Sequence, residues 1–140
     1  MRRSALLVLL IVAVAAPLRG GDEAKVKKPR LDLRVTPRFS FSPAQLLFTG
    51  ELIGGDDVED LYCPELEWDW DDGGKSVKES DCPPFEAGVT KIDRRFTANH
   101  QFVRAGIYAV QLALRRANRL IARQSLTVTV RPGLGDPSNY

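Results

Sequence analysis

The stretch ELEWDWD, residues 65–71, alternates acidic and large apolar side chains without a break. Successive side chains of a β-strand point to opposite faces of a sheet, so this period of two predicts a strand with one buried and one solvated face. Trp68 on that strand is large enough to fill the space between two sheets. The stretch therefore predicts a central strand of a two-layer β fold.

Similar alternation appears on both sides of this stretch, in residues 31–35, 39–41, 45–53, 108–114 and 126–130. Turn signals separate these segments, among them Pro37, the Gly-Gly-Asp-Asp run at 54–57 and Asn118. A helix competes only over 108–123, where Ala, Leu and Arg are good helix formers. The shared parity of the apolar residues in 108–114 favours a strand. We therefore expect an all-β fold, an antiparallel sandwich of about seven strands spanning residues 31–131.

The N-terminus has the pattern of a signal peptide rather than of a folded element. Two arginines follow Met1, residues 5–15 are apolar, and Ala13-Val14-Ala15 fits an A-x-A cleavage site. A retained anchor is the alternative, although a membrane span needs roughly 20 apolar residues. We expect a signal peptide at 1–15, a flexible leader at 16–30, a disordered tail at 132–140, and a secreted or periplasmic protein. It would be an integral membrane protein only if the signal were retained.

The chain contains two cysteines, Cys63 and Cys82. In an oxidising compartment the simplest expectation is one disulfide between them. A redox role is less favoured, because the sequence has no C-x-x-C pair.

Composition disfavours several functions. The chain carries 20 Lys and Arg against 18 Asp and Glu, a smaller surplus than a nucleic-acid-binding protein would show. His100 is its only histidine. None of the usual nucleophile, phosphate-loop or zinc motifs is present. We expect no nucleic-acid binding, no catalysis and no required cofactor.

The charges are unevenly ordered along the chain. Residues 31–86 hold 4 basic and 14 acidic side chains, whereas residues 87–131 hold 9 basic and 1 acidic. One interpretation is internal, with cross-strand pairs joining the acidic face of the 65–71 strand to basic side chains of the later strands. The candidate partners are Arg94, Arg95, Arg115 and Arg123. The other interpretation is a dipolar surface that steers a binding partner.

Clustered carboxylates raise the possibility of a calcium site, since calcium prefers several oxygen ligands. No EF-hand spacing is present, and an acidic strand face is usually just solvated. The candidate ligands are Asp69, Asp71, Asp72, Asp56 and Asp57.

Two segments resemble the PKD (polycystic kidney disease-type) domain family. The segment WDWDDG at 68–73 resembles the family's W-x-F-G-D-G, and HQF at 100–102 with GIYAVQL at 106–112 resembles H-x-Y…G-x-Y-x-V-x-L. The resemblance covers about residues 60–131 by motif and residues 31–59 by pattern only. The matching structural positions are Trp68, Trp70, Gly73, His100, Gly106 and Tyr108.

The sequence departs from the family pattern at several positions. Trp70 stands for Phe, Phe102 for Tyr and Asp71 for Gly, and the last change puts the turn geometry in doubt because Asp lacks glycine's conformational freedom. Residues 73–89 look like an enlarged loop. Independently of the family, Tyr108 suits a corner position where its hydroxyl bonds back to the chain.

The resemblance implies a PKD-like sandwich, with a generic immunoglobulin-like sandwich as the alternative. Together with the signal-peptide pattern and the missing catalytic motifs, it predicts an exported, non-enzymatic module that contacts an unidentified protein or glycan at the cell envelope. The alternative function is a calcium-stabilised structural or adhesion domain.

Overall fold

Two β-sheets form the protein in the computed structural model, which describes residues 28–136. The strands are β1 (Arg30–Thr36), β2 (Ser40–Phe41), β3 (Ala44–Ile53), β4 (Glu65–Asp69), β5 (Lys75–Lys78), β6 (Arg95–Phe102), β7 (Gly106–Arg116) and β8 (Arg119–Arg131). One sheet has the order β1-β3-β6 and the other β2-β8-β7-β4-β5. All pairings are antiparallel except β2 with β8. The expected all-β, two-sheet architecture is confirmed, and it is consistent with a β-sandwich.

Some predictions lie outside the described residues. These are the signal peptide at 1–15, the leader up to residue 27 and the tail from residue 137. Over residues 28–136, the structure contains no helix with the length and apolar character of a membrane span.

The core lies where the alternating strands face one another. On β4, Leu66 and Trp68 are buried, while the acidic residues between them are partly exposed. The expected inner face of β3 is also buried, with Phe48 wholly enclosed. The Phe48 ring packs against Trp68 and Trp70 at centroid distances of 6.0 and 5.3 Å. These rings therefore bring the two sheets together.

Gly50 on β3 allows the sheets to approach closely. A Cβ placed on it would lie 2.5 Å from Cδ2 of Leu112 on β7 and 3.5 Å from Cδ1 of Leu31. Such a short contact is not tolerated in a packed interior. Leu112 thus occupies the space that a larger residue at position 50 would need.

The 106–131 region is a long hairpin, and the helical alternative is wrong. Its turn contains Ala117 and Asn118, both with positive φ, at +46° and +63°. Two such residues form the type I′ turn whose twist matches a hairpin. Asn118 therefore marks the turn, as expected.

The predicted enlarged loop at 73–89 is partly wrong. Residues Lys75–Lys78 pair with β4 as an edge strand, and only the later part is irregular. Ser76 on this strand accepts a hydrogen bond from the Trp70 indole at 2.9 Å. The edge strand β5 thus supplies a hydrogen-bond partner for the buried Trp70 indole.

The segment after β8 belongs to the folded unit as far as Asp136. Asp136 is 1% exposed, and its Oδ2 accepts the Ala105 N–H at 2.7 Å and the Ser42 hydroxyl. The Gly133 N–H in turn donates to Ser42 Oγ at 3.1 Å. Residues 132–136 have no strand, but they are held against the 42–43 and 103–105 connections.

Candidate functional site

A disulfide links Cys63, just before β4, to Cys82 in the loop after β5. The two Sγ atoms are 2.11 Å apart and the Cα atoms 6.2 Å apart, which confirms the expected pairing. The bond fixes the 79–85 segment beside the start of β4.

An open cleft of about 630 Å³ lies next to this disulfide. Its aromatic wall consists of Tyr62 and Phe85, whose ring centroids are 5.5 Å apart. The Tyr62 hydroxyl donates to the Pro83 carbonyl at 2.8 Å, which ties the wall to the second cysteine's loop. We call this feature the disulfide cleft.

Two arginines from the end of β7, Arg115 and Arg116, also line the disulfide cleft. Arg116 donates to the Tyr62 carbonyl, lies 5.9 Å from the Tyr62 ring centroid, and approaches Glu59 at 3.4 Å. Arg115 pairs with Glu67 on β4 at 2.7 Å. These contacts use fixed partners, so the guanidinium groups are held in place.

The disulfide cleft also carries carboxylates that are not neutralised in this way. Glu65, Glu79 and Asp81 line it, and none of them takes part in the ion pairs formed among residues 28–136. The rim is therefore acidic and rich in hydrogen-bond acceptors. Together with the aromatic wall, it offers both a stacking surface and acceptor oxygens.

Four of the five carboxylates predicted as calcium ligands have partners, namely Asp57, Asp69, Asp71 and Asp72, whereas the exposed Asp56 side chain has none among residues 28–136. Asp69 pairs with Lys75 at 3.1 Å and also accepts the Asp71 N–H. The hydrogen bond from Lys75, and then that from Asp71, holds the pKa of Asp69 below its ordinary value. Asp57 pairs with Arg94 at 3.0 Å in the neighbouring loop.

Asp71, at the position where the resembling PKD pattern has glycine, fits the turn. Its φ is +61°, so the residue does adopt the left-handed conformation. Asp tolerates this region better than most side chains because it bonds locally. Here Asp71 Oδ2 accepts the Ala109 N–H at 2.7 Å, which links the turn to β7.

Asp72 holds the next part of the turn. Its Oδ1 accepts the Gly74 N–H at 2.9 Å, and its Oδ2 lies 2.6 Å from His100 Nε2. Burial raises the pKa of Asp72, but the hydrogen bonds from His100 and Gly74 outweigh this effect and leave the pKa below its usual value. Within residues 28–136, no three His, Cys, Asp or Glu side chains are grouped closely enough to hold a metal ion.

The sequence's charge segregation produces ion pairs between early acidic and late basic residues. Of the four arginines predicted to pair with the acidic face of the 65–71 strand, Arg115 does so through Glu67, whereas Arg94 pairs with Asp57 in the loop before β4. Arg95 and Arg123 form no ion pair among residues 28–136. The pairs are Arg94–Asp57, Arg115–Glu67, Arg116–Glu59 and Arg119–Asp60. The internal interpretation therefore holds for part of the charge.

The motif residues form a column of rings, stacked except for the edge-on contact between His100 and Phe102 at 4.8 Å. Trp68 and Trp70 are 5.0 Å apart with planes 3° from parallel, and His100 stacks on Trp70 at 4.2 Å. Phe102 continues the column to Tyr108, at a centroid distance of 4.3 Å. The histidine is thus a packed member of an aromatic column.

Tyr108 occupies the expected corner. Its hydroxyl donates to the Arg104 carbonyl at 2.8 Å. Gly106 lies directly beneath the ring, where an added Cβ would be 3.1 Å from it.

Sequence reasoning missed the disulfide cleft. Its wall residues Tyr62 and Phe85 flank the two cysteines in sequence, so pairing the cysteines could have placed those aromatic side chains together. The sequence identifies Arg115 and Arg116 as basic residues of the later strands, but it does not place them at a cleft. A search of protein-family models and of curated proteins gives no match to this chain.

Proposed function

We propose that this chain is an exported, non-enzymatic binding module that contacts a protein or a glycan through the disulfide cleft. The observation that carries the proposal is the cleft itself. Its volume lies within the roughly 300–1,000 Å³ range of ligand sites, and it combines aromatic rings with a few converging polar groups.

The strand order supports an immunoglobulin-like sandwich of the PKD-like kind. The β8-β7-β4-β5 order corresponds to G-F-C-C′ of such sandwiches, and β1-β3-β6 to A-B-E. Trp68 lies on the strand in the C position, and Tyr108 forms a corner near the start of the strand in the F position. The WDWDDG turn and the packed His100 agree with the PKD-like motif positions.

The disulfide between Cys63 and Cys82 supports export. A disulfide persists in oxidising compartments and is rare in the cytosol. It is consistent with the signal-peptide pattern in residues 1–15.

A binding role is favoured over catalysis by the position of the only histidine. His100 stacks on Trp70 and pairs with Asp72, at the end of the sandwich away from the disulfide cleft. The cleft contains carboxylates and arginines, but its arginines are already bonded to Glu67, Glu59 and the Tyr62 carbonyl. This arrangement recognises a ligand without supplying an activated nucleophile.

The chemistry of the disulfide cleft indicates what it would accept. An aromatic wall stacks against a sugar ring or a proline, and carboxylates accept hydrogen bonds from hydroxyl or ammonium groups. We therefore expect either an oligosaccharide or an extended peptide with basic side chains.

The test is capture of partners from an exported fraction, identified by mass spectrometry. Phe85→Ala and Glu79→Gln remove the wall and one acceptor, while Val77→Ser on the exposed edge strand is the matched control. We expect the partner to be lost with both cleft variants and retained with the control, at unchanged melting temperatures. Retention of the partner by both cleft variants, or chemical turnover of the captured molecule, contradicts the proposal.

A further inference from the structure

Large apolar side chains are concentrated at the end of the sandwich opposite the disulfide cleft. Half of the ten that are exposed among residues 28–136 lie there. They are Phe39, Phe41, Val103, Ile107 and Leu134, with exposed fractions of 53, 54, 60, 72 and 106%. We call these five residues the apolar tip.

The strand register explains why separate segments meet at the apolar tip. β7 begins at Gly106 and β8 ends at Arg131, and the two are paired antiparallel. Phe41 pairs with Arg131, and Ile107 pairs with Thr129 on the other side of β8. The 103–105 connection and the 132–136 segment lie at the same end, joined by the Ala105–Asp136 hydrogen bond.

Three arginines surround the apolar tip. Arg38, Arg104 and Arg131 are exposed, and none of them takes part in the ion pairs formed among residues 28–136. The Arg131 guanidinium lies 4.7 Å from the Phe39 ring centroid, so charge and apolar surface are interleaved.

Acidic side chains also lie at this end, on the β4–β7 side of the tip, but the ion pairs formed among residues 28–136 do not join Asp71 or Asp72 to those arginines. Asp71 accepts the Ala109 N–H, and Asp72 is bonded to His100. Asp136 is buried beneath the surface. The side of the apolar tip formed by Phe39 and Phe41 therefore presents exposed rings next to the exposed guanidinium groups of Arg38 and Arg131.

We propose that the apolar tip docks on the surface of a membrane that contains anionic lipids. Exposed apolar side chains enter the boundary between headgroups and acyl chains, while arginines keep their stems in the apolar layer and their charge at the lipid phosphates. Each basic residue near an anionic surface adds about fivefold to partitioning, from roughly 1 kcal/mol per residue.

A second copy of the chain fits this surface less well. A two-fold interface would place the same patch on both partners, so the arginines of one copy would face those of the other. Like charges brought together in this way oppose association. An anionic membrane supplies the complementary charge.

The charges at the opposite end of the sandwich would orient the docked molecule relative to the membrane. The loops there carry Asp56, Glu79 and Asp81, which form no ion pair among residues 28–136, whereas Arg94, Arg115, Arg116 and Arg119 at the same end are each paired with a carboxylate. An anionic surface repels these three carboxylates and attracts the apolar tip. The disulfide cleft would then face away from the membrane, which joins this inference to the proposed function without depending on it.

The test is co-sedimentation with vesicles of phosphatidylglycerol and phosphatidylcholine, compared with vesicles of phosphatidylcholine alone. The variants are Phe39→Ser/Phe41→Ser and Arg104→Gln/Arg131→Gln. Val77→Ser and Arg119→Gln are controls from the far side of the same sheet. All variants keep the same N-terminus, so any binding by residues 5–15 is common to them.

We expect binding to the anionic vesicles to fall at least tenfold in each tip variant and to stay unchanged in the controls. It should also weaken as salt rises, because exposed charges are screened. Equal binding by tip and control variants overturns the proposal. A dimer that the Phe39→Ser/Phe41→Ser variant converts to a monomer in sedimentation equilibrium also overturns it, in favour of a second copy. Both readouts are independent of partner capture at the disulfide cleft.

Discussion

Replacing Gly50 with alanine tests how closely the two sheets approach each other. The new Cβ would lie 2.5 Å from Leu112 Cδ2, and Leu112 has no exposed surface into which it could retreat. Overpacking of this kind costs about 1–3 kcal/mol. Loss of glycine's freedom in the unfolded chain returns about 0.4–1 kcal/mol. We therefore expect the free energy of unfolding to fall by about 1–2 kcal/mol.

The cause is identified by a second substitution at the contact. Leu112→Ala alone should cost about 2–5 kcal/mol, because it leaves a cavity. In the Gly50→Ala/Leu112→Ala double variant the new methyl group enters that cavity. The combined loss should then be smaller than the sum of the single losses by at least about 1 kcal/mol, within the range of directly coupled residues.

Urea unfolding of the parent, the two single variants and the double variant measures this coupling. For a domain of about 100 residues, each kcal/mol also shifts the melting temperature by roughly 4–8 °C. Thr49→Ala, at the neighbouring position of β3, is the control and should combine additively with Leu112→Ala. A Gly50→Ala variant as stable as the parent, or an additive double variant, refutes the close approach.

Four further expectations concern the turns, charges and covalent bond. Replacing Cys63 and Cys82 with serine should lower the unfolding free energy by about 3 kcal/mol, given their sequence separation of 19 residues, and urea unfolding showing a loss below about 1 kcal/mol would contradict it. Asp71→Gly relieves the positive φ but removes the acceptor for the Ala109 N–H, so thermal unfolding should show a net loss of about 1 kcal/mol, with Asp71→Ala losing more. Because folding lowers the pKa of Asp72, its carboxylate stabilises the protein above its unfolded-state pKa and ceases to do so as pH falls through the lowered value. Urea midpoints below pH 4 should consequently fall less steeply in Asp72→Asn than in the parent, and parallel profiles would argue against the contribution. Calcium in hundredfold excess over a real site's Kd would stabilise by about 2.7 kcal/mol, whereas we expect a calcium-specific melting shift below about 2 °C; a shift above about 5 °C that magnesium does not reproduce would favour the calcium domain.

The parts of the fold predicted from sequence were those with local periodicity and burial. β4 and the inner face of β3 show a strict period of two because one face meets the core. β5 lacks that signal, since all four of its residues are exposed at the sheet edge. Its strand conformation comes from pairing with β4 rather than from an apolar pattern of its own.

The features that the sequence did not reveal depend on contacts between distant residues. Asp136 resembles an exposed tail residue in sequence, but the contact with Ser42, 94 positions away, buries it. The aromatic wall of the disulfide cleft likewise joins Tyr62 and Phe85, which lie in separate segments of the chain on either side of β4 and β5. The order of charges along the chain predicted that arginines of residues 87–131 would pair with carboxylates of residues 31–86. Which arginines form these ion pairs depends on the turn at 117–118, which places Arg116 and Arg119 near Glu59 and Asp60.

The parallel indoles of Trp68 and Trp70 have an optical consequence. At a centroid distance of 5.0 Å their π–π* transitions are close enough to couple, and an in-plane rotation between the two indoles makes this coupling add a pair of oppositely signed bands to the far-ultraviolet circular dichroism of the β-sheets. That signal depends on the relative orientation of one ring on β4 and one directly after it, so it is lost when this segment becomes disordered even if hydrogen-bonded sheet remains elsewhere. The circular dichroism of the two indoles thus reports whether β4 is ordered, and it needs no added label.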